Sequence, residues 1–406
     1  MSYLVIARKY RPQQFADIIA QEHITQTLQN AVRTGRIAHG YIFSGSRGVG
    51  KTTAARILAK ALNCETILTD EKQKALAEPC GHCESCRSFD EGTSLNISEF
   101  DAASNNGVDD VRQLRENVRY GPQKGKYKVY IIDEFHMLST AAFNAGLKTL
   151  EEPPPHAVFI FATTELHKVP ATISSRCQRF TFKRISAADI AKTLRGICAK
   201  EIITIDDDSL NLIARKADGA MRDAQSLLDQ VISFSLEDSG ATQAITYART
   251  SELLNAIDDE HFFTVSESIA KKDTRRMIEL AQTIYENGYD ASYFLQSLVE
   301  HFRNFLIVKN IKSTKLIAAS EVSKQRYENG AEDFTPELLM TFIDVVSLAE
   351  KELKNFREPQ LKFELTLLKL IHTASLGTAD ERLATLEASV QRLSDEVKKK
   401  ASLVKM

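Results

Sequence analysis

The segment Gly45-Ser46-Arg47-Gly48-Val49-Gly50-Lys51-Thr52 carries the complete G-x-x-x-x-G-K-[ST] pattern, and it lies between an apolar run, Tyr41-Ile42-Phe43, and a helix-like stretch from Thr53 to Leu62. A strand, a glycine-rich turn and a helix in that order leave few folds open. The glycines let successive backbone N–H groups turn inward around phosphates, and the helix N-terminus adds positive potential. Lys51 then reaches the outer phosphates and Thr52 can ligate Mg2+, so that Gly45 through Thr53 form the expected nucleotide-binding set. The pattern predicts a bound nucleoside triphosphate.

The rest of the first 180 residues fits a parallel sheet covered by helices. Apolar runs at Tyr41-Ile42-Phe43, Ile97 to Phe100, Val129 to Ile132 and Val158 to Phe161 alternate with helical patterns. Each run leads into polar or small residues, the end at which open α/β sheets bind ligands. From Ser186, which fits an N-cap, apolar residues recur at Ile190, Leu194 and Ile197 and predict a small helical domain. Beyond residue 244 almost every pattern is helical, and stripes such as Phe294, Leu295, Leu298, Phe302 and Phe305 read as core packing. The expected division is a nucleotide-binding domain over 1–180, a helical lid over 181–243, an all-helical domain over 244–376 and a helical tail or linker over 377–406. In that tail Leu383, Leu386, Val390, Leu393 and Val397 alternate three and four apart, a run of heptads too short for a convincing coiled coil.

With 406 residues, 43% hydrophobic and 26% charged, the chain is long enough for two or three cores. Its net charge of −2 requires any nucleic-acid contact to come from a local basic face. The opening residues show no basic leader followed by a long apolar region, and nowhere do eighteen apolar residues run together. The expectation is a cytoplasmic protein without a membrane segment.

Cys64, Cys80, Cys83 and Cys86 fall in one short segment, the last three in a C-x-x-C-x-x-C row, while Cys177 and Cys198 stand apart. In a reducing compartment this clustering suggests a structural Zn2+ held by four thiolates, with the chain between Cys64 and Cys80 looping back to the site. A disulfide pair is the alternative, as is His82 in place of one thiol. Cys198 shares helical spacing with Ile190, Leu194 and Ile197 and reads as a small core residue.

The run Val129 to Ile132 ends in Asp133-Glu134. Two carboxylates at the end of a buried strand suit phosphate chemistry: Asp133 to hold Mg2+ or its water, and Glu134 to orient and deprotonate a water attacking the γ-phosphate. The next apolar strand ends in Thr163-Thr164, placed to hydrogen-bond the γ-phosphate or that water. Arg176, in Ser174-Ser175-Arg176-Cys177, and Arg222, in Gly219-Ala220-Met221-Arg222-Asp223-Ala224, are the arginines suited to supply positive charge.

Taken in order, the phosphate loop, the cysteine cluster after its helix, the Asp-Glu strand, the Thr-Thr strand, the Ser-Arg-Cys segment and the Arg222 helix closely resemble the gamma/tau subunits of bacterial DNA polymerase III, the clamp-loader ATPases. The resemblance covers roughly residues 1–240. It extends to Ala7-Arg8-Lys9-Tyr10-Arg11-Pro12, to Phe100-Asp101-Ala102-Ala103-Ser104 and to Leu147-Lys148-Thr149-Leu150-Glu151-Glu152-Pro153. It implies an AAA+ module, a helical lid and a helical collar that closes a pentameric ring, with ATP as the nucleotide. It also implies that Thr164 is sensor 1 and Arg222 sensor 2, that Tyr10, Arg11 and Pro12 lie near the adenine, and that Arg176 acts in trans on a neighbour's ATP. The implied partners are delta and delta-prime type subunits, further copies of the chain, the sliding clamp and primer–template DNA, with the replicative helicase and polymerase engaged through a longer C-terminus where one is present. Gly146 departs from the family pattern, which places an aliphatic residue there.

Arg112, Arg115 and Arg119 recur at helical spacing, with Lys124, Lys126 and Lys128 close behind. A solvated helix face is the ordinary reading. In a clamp loader such a face would track the DNA backbone, and Asn105-Asn106-Gly107 match the family's segment at the start of a DNA-facing helix. Two other classes compete: a non-hydrolysing scaffold subunit, which has no need of Lys51, Thr52, Asp133 and Glu134, and an unrelated AAA+ motor such as a branch-migration helicase, which would not be expected to carry the cysteine cluster or the Ser-Arg-Cys segment.

Overall fold

The computed structural model describes residues 4–123, 125–235, 244–317, 319, 321–353 and 356–375. Lys124 and the heptad-like tail over 377–406 lie outside the described residues. In chain order the first part runs α1 (Ile6–Lys9), α2 (Glu22–Thr34), β1 (Gly40–Ser44), α3 (Lys51–Asn63), α4 (Glu65–Thr69), α5 (Glu71–Leu76), α6 (Glu84–Asp90), β2 (Ile97–Asp101) and α7 (Val108–Val118). It continues through β3 (Lys128–Asp133), α8 (Thr140–Glu151), β4 (Ala157–Thr163), α9 (Ala171–Ser174) and β5 (Gln178–Thr181).

The strands form one parallel sheet in the order β2-β3-β4-β1-β5. β1 and β4 are buried along their whole length, and β3 along all but its end residues, which is why their sequences are unbroken apolar runs. Alternate residues face opposite layers: Tyr41, Phe43, Val129, Ile131, Val158 and Ile160 pack with α2 and α3. Ile42, Tyr130, Ile132, Phe159 and Phe161 pack with α7 and α8. β5 was not expected from the sequence. It is an edge strand in which only Phe180 is buried, so it carries no apolar run.

The lid follows as α10 (Ala187–Glu201), α11 (Asp207–Lys216) and α12 (Met221–Ser235). Ser186 caps α10, its hydroxyl accepting the Asp189 N–H at 3.1 Å. Residues 244–254, with α13 (Tyr247–Leu253), also pack on the lid. Ile245 bridges Ile205, the Tyr247 N–H donates to Asp206 Oδ2 at 2.7 Å, and the Thr250 hydroxyl donates to Ser209 Oγ at 2.9 Å. The boundary between compact units therefore falls between Met1–Leu254 and Asn255–Met406, eleven residues beyond the expected division after residue 243.

The second unit consists, among its described residues, of α14 (Asp259–Lys271), α15 (Thr274–Glu286), α16 (Ala291–Ile311), α17 (Glu321–Gly330), α18 (Pro336–Leu353) and α19 (Pro359–Ser375) around one apolar core. The predicted stripe Phe294, Leu295, Leu298, Phe302 and Phe305 is buried there. Within that core, His301 shares hydrogen bonds with the Tyr327 hydroxyl (2.9 Å) and Ser266 Oγ (3.3 Å), and burial depresses its pKa to about 3. It is a neutral, satisfied core histidine.

Gly146 does not break α8. It lines an apolar cavity of about 50 Å3 beside Val111, Ile132, Phe135 and Phe143, and a Cβ there would lie 3.7 Å from Val111 Cγ1, an ordinary contact. Gly146→Ala should stabilise the protein by about 1 kcal/mol through helix propensity, raising Tm by about 2–4 °C in thermal unfolding. An unchanged or lower Tm would mean that the helix relies on the glycine.

Candidate nucleotide site and metal centre

The phosphate loop leaves β1 and enters α3 with Gly48 at φ +76° and Gly50 at φ +102°. Gly48 is also a point of close approach: a Cβ would come within 2.8 Å of Ala220 Cβ at the start of the lid's last helix. Lys51, 6% exposed, donates from Nζ to the carbonyls of Gly45 (2.9 Å) and Ser46 (2.8 Å), which holds the ammonium across the loop. Burial lowers its pKa, while the negative charges of Glu134 and Asp133 push it back up.

Sheet order brings the remaining groups together. β4 lies between β3 and β1, so the ends of all three strands converge, and the Gly45 N–H donates to the Thr163 carbonyl at 3.3 Å. Thr52 Oγ1 donates to Asp133 Oδ2 at 2.7 Å, which offers two oxygens side by side for a magnesium ion. Glu134 is in the left-handed region at φ +45° and its N–H donates to Asp133 Oδ1 at 2.9 Å. A non-glycine residue in that region is a strained, local solution. Thr164 Oγ1 donates to Glu134 Oε2 at 3.4 Å.

The two arginines occupy different places. The Arg222 N–H reaches the Gly48 carbonyl at 3.5 Å, so α12 starts against the phosphate loop with the exposed Arg222 side chain on its first turn. Arg176 lies between α9 and β5, and its Nη1 donates to the Thr172 carbonyl at 2.6 Å while Nη2 pairs with Glu151 at 3.1 Å. None of these partners belongs to the phosphate loop. Beside it Cys177 packs under β1, where a Cβ on Gly40 would meet its Sγ at 2.7 Å, and burial pushes its thiol pKa up to about 11.

The opening segment ties the lid to α3. The Ile6 N–H donates to Asp229 Oδ2 on α12 at 2.7 Å, and the Tyr10 hydroxyl donates to Glu201 on α10, which also pairs with Lys9 at 2.5 Å. The bond to Glu201 pushes the Tyr10 hydroxyl pKa up to about 12. Arg11 Nε donates to Thr53 Oγ1 at 3.4 Å, and half-buried Pro12 follows.

The four clustered thiols meet, with all sulfurs within 4.8 Å of one another. Cys64 and Cys86 are fully buried. The Cys80 N–H points at Cys64 Sγ (3.4 Å) and the Cys83 N–H at Cys80 Sγ (3.3 Å), contacts that favour thiolates. The Cys64 thiol is held down to about 4, chiefly by a hydrogen bond from Cys86. Four free thiols gathered in this way are compatible with one tetrahedral zinc ion. His82 is exposed and shares a hydrogen bond with the Cys80 carbonyl at 2.9 Å, outside the tetrad.

On α7 and just past its end, where Arg119 lies, the predicted basic stripe is interleaved with acids. Arg112 pairs with Asp109 (2.9 Å), and Arg119 and half-buried Arg115 lie 3.4 and 3.7 Å from Glu116. Asn105 Nδ2 donates to the Asp101 carbonyl at 3.1 Å, and the Asn106 carbonyl accepts the Ser139 N–H at 3.4 Å.

Three family models match in succession: "DNA polymerase III, delta subunit" over residues 20–186, "DNA polymerase III clamp loader subunit, ATPase lid domain" over 189–237, and "DNA polymerase III subunits gamma and tau domain III" over 245–386. The chain is 39% identical over 400 residues to the DNA polymerase III subunit tau of Bacillus subtilis, covering 98% of this chain and 69% of that one. It belongs to the gamma/tau family of DNA polymerase III subunits. The Escherichia coli subunit tau is 39% identical, with 91% of this chain matched to 56% of it. The subunit gamma of Buchnera aphidicola is 35% identical, with 91% of this chain matched to 99% of it. The chain thus spans little more than half the length of some tau relatives and nearly all of that gamma relative. Among the described residues no helix is long and apolar enough to cross a membrane.

Several residues that shape this family member's site carried no sequence signal. Buried Lys60 on α3 donates to both oxygens of Asp90 on α6, at 2.9 and 2.8 Å, and Arg56 stacks over Phe89 at 4.5 Å. The Glu78 carboxylate accepts the N–H groups of Phe15 (2.7 Å) and Ala16 (3.0 Å) and Gln29 Nε2 (2.8 Å). These bonds fasten the cysteine module to the phosphate-loop helix and to the opening segment. His136 is the other omission, since nothing in the periodicity marks a histidine after the Asp-Glu pair.

Proposed function

We propose that this chain binds ATP with Mg2+ and hydrolyses it as the motor subunit of a clamp loader, so that ATP binding shapes a ring able to open the sliding clamp and hydrolysis releases the clamp on primed DNA. The observation that carries this reading is the convergence of Lys51, the Thr52–Asp133 pair and Glu134 at the ends of β1 and β3, which flank β4. Lys51 and the loop's N–H groups would bind the outer phosphates, Thr52 and Asp133 the metal, and Glu134 would take the proton of the attacking water. Thr164 would align that water as sensor 1, and Arg222, on the first turn of α12 against Gly48, would sense the γ-phosphate as sensor 2. Tyr10, Arg11 and Pro12 would flank the adenine.

Arg176 has no partner in its own phosphate loop, which suits action on the nucleotide of a neighbouring copy. Delta and delta-prime type subunits would complete the ring, with residues of the second unit forming its collar. The four thiolates would hold one structural Zn2+. Arg112, Arg115, Arg119 and Asn105-Asn106 would face the DNA backbone, and where a longer C-terminus is present it would reach helicase and polymerase. This activity belongs in the cytoplasm.

Glu134→Gln separates hydrolysis from a scaffold role. Hydrolysis should fall about 10²–10⁴-fold, while a fluorescent ATP analogue binds as before. Hydrolysis undiminished in this variant would refute the assignment, and a chain that binds nucleotide without ever hydrolysing it would be the scaffold subunit.

A further inference from the structure

The imidazole of His136 occupies the gap between the ends of β3 and β4. It lies in the short 3-10 turn Phe135–Met137 directly after Glu134, and its side chain is only 8% exposed. Nδ1 shares a hydrogen bond with Thr163 Oγ1 at 3.1 Å and stands 3.6 Å from Glu134 Oε2. Nε2 stands 3.8 Å from Glu165 Oε2. Thr163 is fully buried at the last position of β4, and its hydroxyl oxygen also accepts the Glu165 N–H at 3.1 Å. Thr164, the next residue, donates to the same Glu134 oxygen that the imidazole faces. A single ring therefore touches the carboxylate at the end of one strand and the hydroxyl at the end of the next.

We propose that His136 is a positioning residue that sets the Glu134 carboxylate against the end of β4, so that Glu134 and Thr164 approach the attacking water as one unit. Glu134 needs such support because its backbone is in the left-handed region, a strained conformation for a residue with a side chain. Thr164 Oγ1 at 3.4 Å and His136 Nδ1 at 3.6 Å both face Glu134 Oε2, and the bond between His136 Nδ1 and Thr163 Oγ1 ties the ring to the end of β4. A buried, doubly contacted ring adjoining the base limits the carboxylate to a narrow arc, and misplacement of a reacting group by about 1 Å costs about 10²-fold in rate.

The inference rests on the reading of Glu134 as the base, and the test distinguishes the two. Single-turnover ATP hydrolysis, affinity for a fluorescent ATP analogue and Tm are measured for the full chain assembled with delta-type subunits, in His136→Ala, His136→Asn and Glu134→Gln. His136→Ala should lower the hydrolysis rate about 10- to 100-fold with nucleotide affinity and Tm nearly unchanged. His136→Asn, whose amide nitrogen can occupy the Nδ1 position, should recover much of that rate. An unimpaired His136→Ala beside an inactive Glu134→Gln would overturn the positioning role. So would a rate loss that tracks a fall in Tm or nucleotide affinity and is not relieved by asparagine. Full hydrolysis in Glu134→Gln would overturn the base assignment and this inference with it.

Discussion

Arg176→Ala is expected to abolish the stimulation of ATP hydrolysis by clamp and primed DNA, with a loss of about 10³–10⁵-fold, the range for an arginine acting across an interface. The argument is geometric. The guanidinium lies between α9 and the edge strand β5, bonded to the Thr172 carbonyl and paired with Glu151. Both partners lie outside the phosphate loop, and Arg176 is exposed. Cys177, packed under Gly40 on β1, anchors the segment that presents it. Hydrolysis by the assembled ring is the assay, and fluorescent-nucleotide affinity of the isolated chain is the control, which should not change. A variant that keeps clamp- and DNA-dependent turnover would rule out the trans role and assign the charge to Arg222.

Removing the metal is expected to have the second large effect, this time on stability. The purified chain should contain one zinc ion, and Cys64→Ser or Cys86→Ser should lose it, at a cost of about 4 kcal/mol or more, since loss of a metal belongs to the short list of mechanisms behind such large changes. At about 2–4 °C per kcal/mol, Tm should fall by about 10 °C. The loss should spread beyond the module, because Cys64 ends α3 and α6 is fastened to α3 through Asp90–Lys60 and Phe89–Arg56. Hydrogen exchange at Phe15 and Ala16, whose N–H groups are bonded to Glu78, should quicken in the zinc-free chain. Metal analysis that finds no zinc, or a serine variant with unchanged Tm, would leave the tetrad as a plain thiol core.

The sheet was legible wherever a strand is central. β1, β3 and β4 are buried on both faces and so must be written in apolar residues, and the expected runs fall inside the observed strands. β5 was not legible because an edge strand needs only one buried side chain, Phe180, and Gln178, Arg179 and Thr181 give no run to detect. The arginines on and just after α7 show the opposite limit. Their spacing is visible in the sequence, but the pairing of Arg112 with Asp109 and of Arg119 with Glu116 reduces the free positive charge that spacing alone suggests.

By itself the sequence determined the local chemistry of this protein. A phosphate loop is a contiguous stretch whose glycines and lysine act within a few residues of one another, and three of the four clustered thiols fall between residues 80 and 86, so both are written in spacing alone. Only the tertiary structure decided which distant groups meet. Because β4 runs between β3 and β1, Thr163, Thr164, Glu134 and His136 converge beside Lys51, and Thr52 reaches Asp133. Strand order is set by the packing of two helical layers on the sheet, a long-range property that no window of sequence contains.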